Sequence, residues 1–562
     1  MTRRNWLEYL RPLRGERMPT RLRLVVAAVS GAALSLSYTG FYLSIYSWIC
    51  IGILLVSLFG ARPRVAFGCG FLHGLVFCLT SVPWIATVLV VHGGVSGLGG
   101  WGVLLLIASV WGILVGMFAW IVQRLAAYSI ALACIGTPFV WVTFEFVRAH
   151  LPEISFPWNL LGYPAAANLG LIQLTSVTGI YGLSFLVAAF NALLAWAEVG
   201  PSATAKRRLG MLAAGTVCVI AAMLIGPRLA PKPQANHLAR TVQLNFPEAP
   251  DYGSNWFAEH TSDMLEAARL SLAPRGSDVD LLVWPEAPAP FSYQDPRFAQ
   301  FATQLAAKFS HPFLVGVIEW KPPADGTGTG GHGHPAMVPF NSALLFNPQG
   351  QRIFSYDKIH LVPFGEYEPF PLIHEVVNRV SDEVGGFRKG QTYGVGALPG
   401  GNLLGVFICY EAIHPGEVRR FTAEGATLLV NISNDGWFGR SAAARQHLLM
   451  ARVRAVENRR WLLRATNNGY TASVDPYGRM YEPLPTDVRA SADLPYDFRT
   501  DRTIYTRFGD WFAWLCVAVS VILLASTFWK GNVSRDSIPI PVDFLASPIR
   551  VVPDAVTSRS ST

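Results

Sequence analysis

Four residues in the second half of the chain have the chemistry of a covalent catalyst: Glu286, Lys358, Glu366 and Cys409. Cys409 ends the apolar run LLGVFI and is followed at once by Tyr410 and Glu411. A nucleophile at the end of a buried strand, just before the chain turns, is held rigidly and faces a pocket. The other cysteines, Cys50, Cys69, Cys78, Cys134, Cys218 and Cys516, all fall in long apolar segments. Cys409 thus has no disulfide partner in its own region, and an unpaired thiol is a candidate reactive group. A free cysteine is as readily a small buried hydrophobe, so this residue alone leaves both readings open.

Glu286 follows LLVWP, and Lys358 and Glu366 share the stretch IFSYDKIHLVPFGEYEP. A carboxylate such as Glu286 can take the thiol proton and later return it. An ammonium such as Lys358 can lower a thiol's pKa and stabilise the oxyanion of a tetrahedral intermediate. Glu366 can orient the lysine or the nucleophile. Singly, each is an ordinary surface charge; together with the free thiol they point to covalent chemistry. Neither a zinc-type Cys/His spacing nor a phosphate-cradling glycine loop is present, so no metal and no cofactor are expected. His332 and His334 lie in the glycine tract PPADGTGTGGHGHP, at 322–335, and read as a solvated loop.

The elements that must hold these residues are unusual for a soluble protein. Hydrophobic residues make up 51% of the chain and charged residues 15%, against ~25% charged in a typical soluble domain. Eight apolar runs stand out, at 24–38, 43–59, 65–91, 101–122, 126–147, 171–197, 209–230 and 511–529. All but the first two approach or exceed the ~20 residues that cross a bilayer. The sequence therefore predicts a basic N-terminus at 1–23 and seven spans over 24–230. A folded region follows at 231–509, then an eighth span at 510–530 and a disordered tail at 531–562. With the N-terminus inside, Arg62 and Arg64, then Arg124, then Lys206, Arg207 and Arg208, then Lys530 and Arg535 all fall on the cytoplasmic side. The folded region then lies on the opposite face. The net charge of +8 reads as membrane orientation; no basic stripe with interleaved aromatics suggests nucleic acid. Glu145 and Arg148 are expected as an ion pair at the outer end of the fifth span. The loop SFPWNLLGYP at 155–164 should anchor at headgroup level through Trp158 and Tyr163.

Within 231–509, short strand-like runs at 241–245, 281–283, 313–318, 343–346, 403–408 and 427–432 alternate with amphipathic stretches at 261–272 and 297–308. That alternation indicates an α/β domain of sheet and helix layers.

LLVWPEAPAP, YDKIHLVPFGEYEP, GVFICYEAIHP and LVNISNDGWFG resemble the motifs of the nitrilase superfamily. With spans on both sides, FPWNLLGY, and QHLLMARVRAVENRRWLLRATNNG, the chain resembles the membrane-embedded branch of apolipoprotein N-acyltransferases. The resemblance runs from the first span to the last. It implies a four-layer α-β-β-α sandwich on an eight-helix transmembrane bundle. It also implies Glu286 as base, Lys358 as oxyanion stabiliser and Cys409 as nucleophile, with Glu366, Tyr410 and Glu411 as auxiliary residues. Trp256, in YGSNWF, matches a lid-loop tryptophan, and Trp437 and Phe438 suit an apolar lid. The implied reaction is ping-pong transfer of an acyl chain from a phospholipid, phosphatidylethanolamine above all. It passes through a Cys409 thioester to the α-amine of a diacylglyceryl-modified lipoprotein. A monomer in the bacterial inner membrane, with its catalytic region in the periplasm, is the matching expectation. The rival reading is a membrane-tethered amidase with the same triad. The insert at 322–335 and the tail belong to no family motif.

Overall fold

The computed structural model describes residues 18–533, apart from 93, 153, 200–203, 248–255, 275–278, 288–290, 323–336, 368–385 and 482–483. The expected tail, the basic residues before 18 and nearly all of the glycine-histidine insert lie outside the described residues.

The N-terminal half is helical: α1 (Thr20–Leu36), α2 (Cys50–Leu58), α3 (Pro63–Ser81), α4 (Trp84–Val91), α5 (Gly97–Ala126), α6 (Ile130–Ala149), α7 (Ile180–Val199) and α8 (Ala205–Leu229). Six helices among the described residues, counting one at the C-terminal end, are long and apolar enough to cross a membrane. The first two apolar runs form shorter helices, α1 having 17 residues, so length and composition support six of the eight predicted crossings. Two predicted runs are also interrupted. Pro83 lacks the amide hydrogen that would continue α3, so the run at 65–91 splits into α3 and α4. In the run at 171–197, Gly179 takes φ +65°, where a side chain would strike the Tyr505 ring. The helix therefore starts at Ile180. Leu106, Ile135, Val217, Leu224 and Ile522 are exposed on the outer faces. In water that much apolar surface would be costly; against lipid it is not.

The C-terminal half builds two six-stranded sheets. The first contains β1 (His237–Gln243), β2 (Val279–Val283), β3 (Phe313–Lys321), β4 (Val338–Phe346), β5 (Arg352–Asp357) and β12 (Ala490–Tyr496), in the order β12-β1-β2-β3-β4-β5. The second contains β6 (Val395–Ala397), β7 (Leu403–Ile408), β8 (Leu428–Ser433), β9 (Leu462–Thr466), β10 (Ala472–Val474) and β11 (Met480–Tyr481), in reverse order. Side chains alternate along each strand. Leu314 and Leu345 point inward to meet Val406 and Val430 between the sheets. Val315 and Leu344 point outward into a core shared with α9 (Thr261–Ser271) and α10 (Pro296–Phe309). Helices α11 (Pro415–Ala423) and α12 (Ala443–Asn458) cover the second sheet. The result is the expected α-β-β-α sandwich, followed by α13 (Trp511–Val533), which packs back into the membrane bundle.

Helix α12 joins the two halves. Ala451 and Ala455 face the sheets, while Met450, Val453 and Val456 belong to the core of the membrane helices. With both faces covered, its charges must find partners inside. Arg454 pairs with Glu457 at 2.8 Å, and both side chains are fully buried. Glu457 also accepts the first amide of α7, from Ile180, at 2.9 Å. Arg452 donates to the carbonyl of Ala167 at 3.1 Å.

Arg454→Ala should cost about 3–5 kcal/mol, because Glu457 is left buried without its cation. The pair Arg454→Met with Glu457→Gln keeps an acceptor for Ile180 and should recover most of that loss. Thermal unfolding of the detergent-solubilised chain measures both; a double variant as weak as the single one would contradict the assignment.

Candidate active site

Strand β7 is buried between β6 and β8 and delivers Cys409 at its end. There the backbone turns into a 3-10 segment, Cys409–Ile413, with Cys409 at φ +46°. A non-glycine residue in that region costs of order 1–3 kcal/mol and persists only where its surroundings over-determine it. Glu411 does much of this. Its Oε2 accepts the Ile408 amide at 2.7 Å. Its Oε1 accepts the Tyr356 hydroxyl at 2.7 Å, the Ile359 amide at 2.8 Å and the His360 amide at 3.2 Å. One carboxylate thus ties the cysteine turn to the segment that carries Lys358.

Lys358 follows β5 and is 1% exposed. Its Nζ donates to Glu366 Oε1 at 2.9 Å and to Glu286 Oε1 at 3.2 Å. Asn341, on β4, donates through Nδ2 to the same two oxygens, at 2.7 Å to Glu286 and 2.8 Å to Glu366. The second oxygens accept backbone amides, from Asn434 for Glu286 and from Val362 for Glu366, each at 2.8 Å. Gly316 makes room for Glu286: a side-chain carbon there would stand 2.6 Å from the Glu286 Cα.

The electrostatics follow from burial and this pairing. Burial alone would lower the Lys358 pKa, but Glu286, Glu366 and Cys409 outweigh it and raise it above the usual lysine value. The ammonium is therefore held charged. Burial pushes the Cys409 thiol up, Glu286 pushes it further, and Lys358 opposes both without prevailing. Cys409 at rest is thus a neutral thiol, with Glu286 and Lys358 near it. Among the described residues, no group of His, Cys, Asp and Glu is placed to hold a metal ion.

A second buried set lies beneath the turn. His447, on α12, has Nε2 3.0 Å from the Cys409 carbonyl and Nδ1 3.0 Å from Asp435 Oδ1. Arg464 donates to both Asp435 oxygens, at 2.9 and 2.8 Å, and Ser433 donates to Oδ1 at 2.8 Å. Burial would raise the Asp435 carboxyl, yet Arg464 and His447 hold it well below the usual range. This set bears on the cysteine backbone.

The site borders the membrane helices. The Tyr410 hydroxyl donates to the Ser155 carbonyl at 2.9 Å, and its ring stacks on Phe156. Phe438 packs on Trp84 of α4, on Trp158 and on His447. Trp437, 41% exposed, lies against His92. Both would-be lid residues therefore stand where the sandwich meets the bundle. Trp158 and Tyr163, expected at headgroup level, are instead buried. Trp158 donates to Gln446 at 2.7 Å, in the same helix as His447. Glu145 and Arg148, expected as an ion pair, reach this loop: Glu145 accepts the Leu161 amide at 2.6 Å and Arg148 donates to the Trp158 carbonyl at 2.9 Å. Trp256 packs with Phe246 and Phe291 in the outer core of the first sheet, stacked on His260. The segment before it, 248–255, lies outside the described residues.

Sequence reasoning brought Glu286, Lys358, Glu366, Tyr410 and Glu411 to the Cys409 turn. It missed Asn341, Asp435, His447 and Arg464. The signal available for them was a polar residue at a core position: Asn341 in PFNSALLF, Arg464 in WLLRAT.

Residues 30–193 match the apolipoprotein N-acyltransferase N-terminal domain, and residues 238–492 match the carbon-nitrogen hydrolase domain. An apolipoprotein N-acyltransferase of Geobacter metallireducens is 34% identical over 521 residues, covering 91% of this chain and 96% of the relative. One from Rhodopseudomonas palustris is 31% identical over 526 residues, covering 89% and 94%. A sandwich keyed to membrane helices at its Cys409 turn, matched along nearly its whole length by such relatives, belongs to the apolipoprotein N-acyltransferase family.

Proposed function

We propose that this chain is an apolipoprotein N-acyltransferase in which Glu286, Lys358 and Cys409 carry the chemistry. The observation behind this reading is the buried ammonium of Lys358 between two carboxylates, beside the strained Cys409 turn at the membrane seam. Glu286 takes the thiol proton as the sulfur attacks the ester carbonyl of a phospholipid. Lys358 stabilises the oxyanion. The tetrahedral intermediate collapses, the ester C–O bond breaks, and Glu286 returns the proton to the departing lysophospholipid. The α-amine of a lipidated N-terminal cysteine then attacks the thioester and Glu286 takes its proton; the C–S bond breaks, and Glu286 returns that proton to the departing sulfur, regenerating the thiol. An amide replaces an ester with no ATP, because the thioester carries the activation. Glu366 and Asn341 position Lys358 and Glu286. Phosphatidylethanolamine is the donor that this reading favours, and the working unit is a monomer.

The basic residues support a periplasmic catalytic region in a bacterial inner membrane. Arg124 donates to Thr527 near the far end of α13, and Gln123 donates to Ala61, beside Arg62. Arg208 donates to the last turn of α7, whose first residue, Ile180, meets Glu457. The cations thus gather at the end of the bundle away from the sandwich, which supports a sandwich on the outer face. A tethered amidase would need the triad but not a turn locked to Ser155 and Phe156.

Intact-mass analysis should find an acyl adduct on Cys409 after incubation with phosphatidylethanolamine. A diacylglyceryl-cysteine peptide should discharge it. Cys409→Ala should form no adduct, and Glu286→Gln and Lys358→Ala should each slow its formation by about 100-fold or more. A variant of this set that transfers at the normal rate would remove that residue from its role.

Because the free thiol is pushed up, alkylation of Cys409 by iodoacetamide should be slow at pH 7. It should keep rising above pH 10, where an ordinary thiol of pKa ~8.5 has levelled off. A rate already flat below pH 8 would instead reveal a preformed thiolate paired with Lys358.

Phe438 fills the space between Trp84, Trp158 and His447, so it is placed to keep water from the thioester. Phe438→Ala should raise free fatty acid release relative to peptide acylation. An unchanged ratio would assign water exclusion elsewhere.

A further inference from the structure

Beside the site described above lies a separate cavity of about 250 Å³ at the seam between the bundle and the sandwich. Ala149 ends α6 and Asp510 precedes α13, and both line it. It therefore sits where two membrane-crossing helices leave the apolar layer, at the depth of lipid headgroups. From the sandwich it is lined by His360, Lys389, His414 and Glu417, and from the bundle also by His150.

Tyr410 connects this cavity to the nucleophile. It follows Cys409 in the chain, donates to Ser155, which lines the cavity, and holds its ring 5.9 Å from His360 and 5.3 Å from His414. A lipid with its ester carbonyl at Cys409 thus has its polar end within one side chain of the cavity.

The lining carries both signs of charge and two unanswered polar atoms. His414 is 5% exposed, and its Nε2 has no hydrogen-bond partner among the described residues. Burial, then His360, Arg454 and His150, push its pKa well down, so it is a neutral imidazole. Glu417 Oε2 is likewise buried without a partner. Lys389 Nζ lies 4.5 Å from the Tyr367 ring. Asp510 accepts from Tyr505 through one oxygen, at 3.1 Å. Buried polar atoms left unpaired cost about 1–3 kcal/mol each. A guest bearing both an anion and a cation would answer them.

We infer that this cavity holds the zwitterionic phosphoethanolamine headgroup of the acyl donor, its phosphate on Lys389 and His414 Nε2 and its ammonium on Glu417 and Asp510. The inference rests on the donor reading above and adds the residues that select the donor. The volume suits a headgroup and not a whole lipid. A glycerol headgroup offers the phosphate but no cation, so it should leave Glu417 unanswered.

The test uses the full chain in detergent micelles and follows the rate of the Cys409 acyl adduct by intact mass. The donors are phosphatidylethanolamine and phosphatidylglycerol with identical chains. The unmodified protein should acylate faster from the ethanolamine lipid by about tenfold, one ion pair's worth of selectivity. Glu417→Gln should bring that ratio close to one, and Lys389→Gln should slow both donors together. Because the ratio is taken within one preparation, a smaller folded fraction does not disturb it. A second measurement needs no variant: successive N-methylation of the donor should lower the rate stepwise, as each methyl removes a hydrogen-bond donor from the ammonium. A ratio unchanged by Glu417→Gln, or a rate indifferent to methylation, overturns the assignment while the acyl adduct still stands. Absence of any adduct from either donor in the unmodified protein would instead defeat the donor reading, and this one with it.

Discussion

The carboxylate of Glu411 accepts four hydrogen bonds, three of them from backbone amides. Everything reactive hangs on that group. Cys409 occupies a backbone conformation that its side chain disfavours, and strand β7 would otherwise run on or fray. By reaching back to Ile408 and across to Ile359 and His360, Glu411 closes the cysteine turn and the lysine segment onto each other. Burial pushes its pKa up, while the Ile408 amide and the Tyr356 hydroxyl lead the groups that favour the anion. A glutamine could accept at one oxygen only, and its amide nitrogen would face donors.

Helix α12 explains how a sandwich fold comes to serve a membrane. In a free-standing layer its outer face would meet water. Here that face meets Ile172, Tyr163 and other buried members of the bundle core, so most of the helix is buried. The same helix presents Gln446 to Trp158 and His447 to the Cys409 carbonyl. Adjacent residues of one rigid element thus touch the membrane loop and the Cys409 backbone. Displacement of the 158–161 loop cannot leave the turn unaffected, because a packed core transmits small shifts and does not absorb them.

Much of this was legible beforehand, for a physical reason. Glu286, Lys358 and Cys409 each follow a β-rich run, and an interruption of apolar sequence by a reactive side chain marks a strand end. Asn341 was hidden because it lies within β4, which begins at Val338 and not, as the apolar stretch suggests, near residue 343. Its polar neighbours made it look like a loop, whereas its amide is paired with two carboxylates. The Asp435, His447 and Arg464 set comes from three separate elements, and no spacing rule links them. Hydropathy found the apolar runs but not their breaks, since averaging over a window hides one Pro83 or one left-handed Gly179. Trp158 read as an interfacial anchor because an indole favours headgroups; the loop instead folds inward, and its indole nitrogen finds Gln446.

Charge conservation gives the proposed site its direction. The proposed mechanism has Glu286 act as base beside the charged Lys358 and the neutral thiol. Moving the thiol proton to Glu286 leaves the sum unchanged, so activation brings no new net charge into a buried place. This offsets the disadvantage of a thiol whose pKa is raised. On the same reading, once the thioester has formed and the proton has left with the lysophospholipid, Glu286 is again free to act as base. In the proposed mechanism water gains nothing from these carboxyl groups, whereas an acceptor's α-ammonium is drawn toward them; it sheds one proton to solvent before the neutral amine attacks and gives its next proton to Glu286. On this reading, preference for an amine over water arises from the same pair of carboxyl groups that flanks Lys358, with the apolar wall at Phe438 slowing the competitor they do not attract.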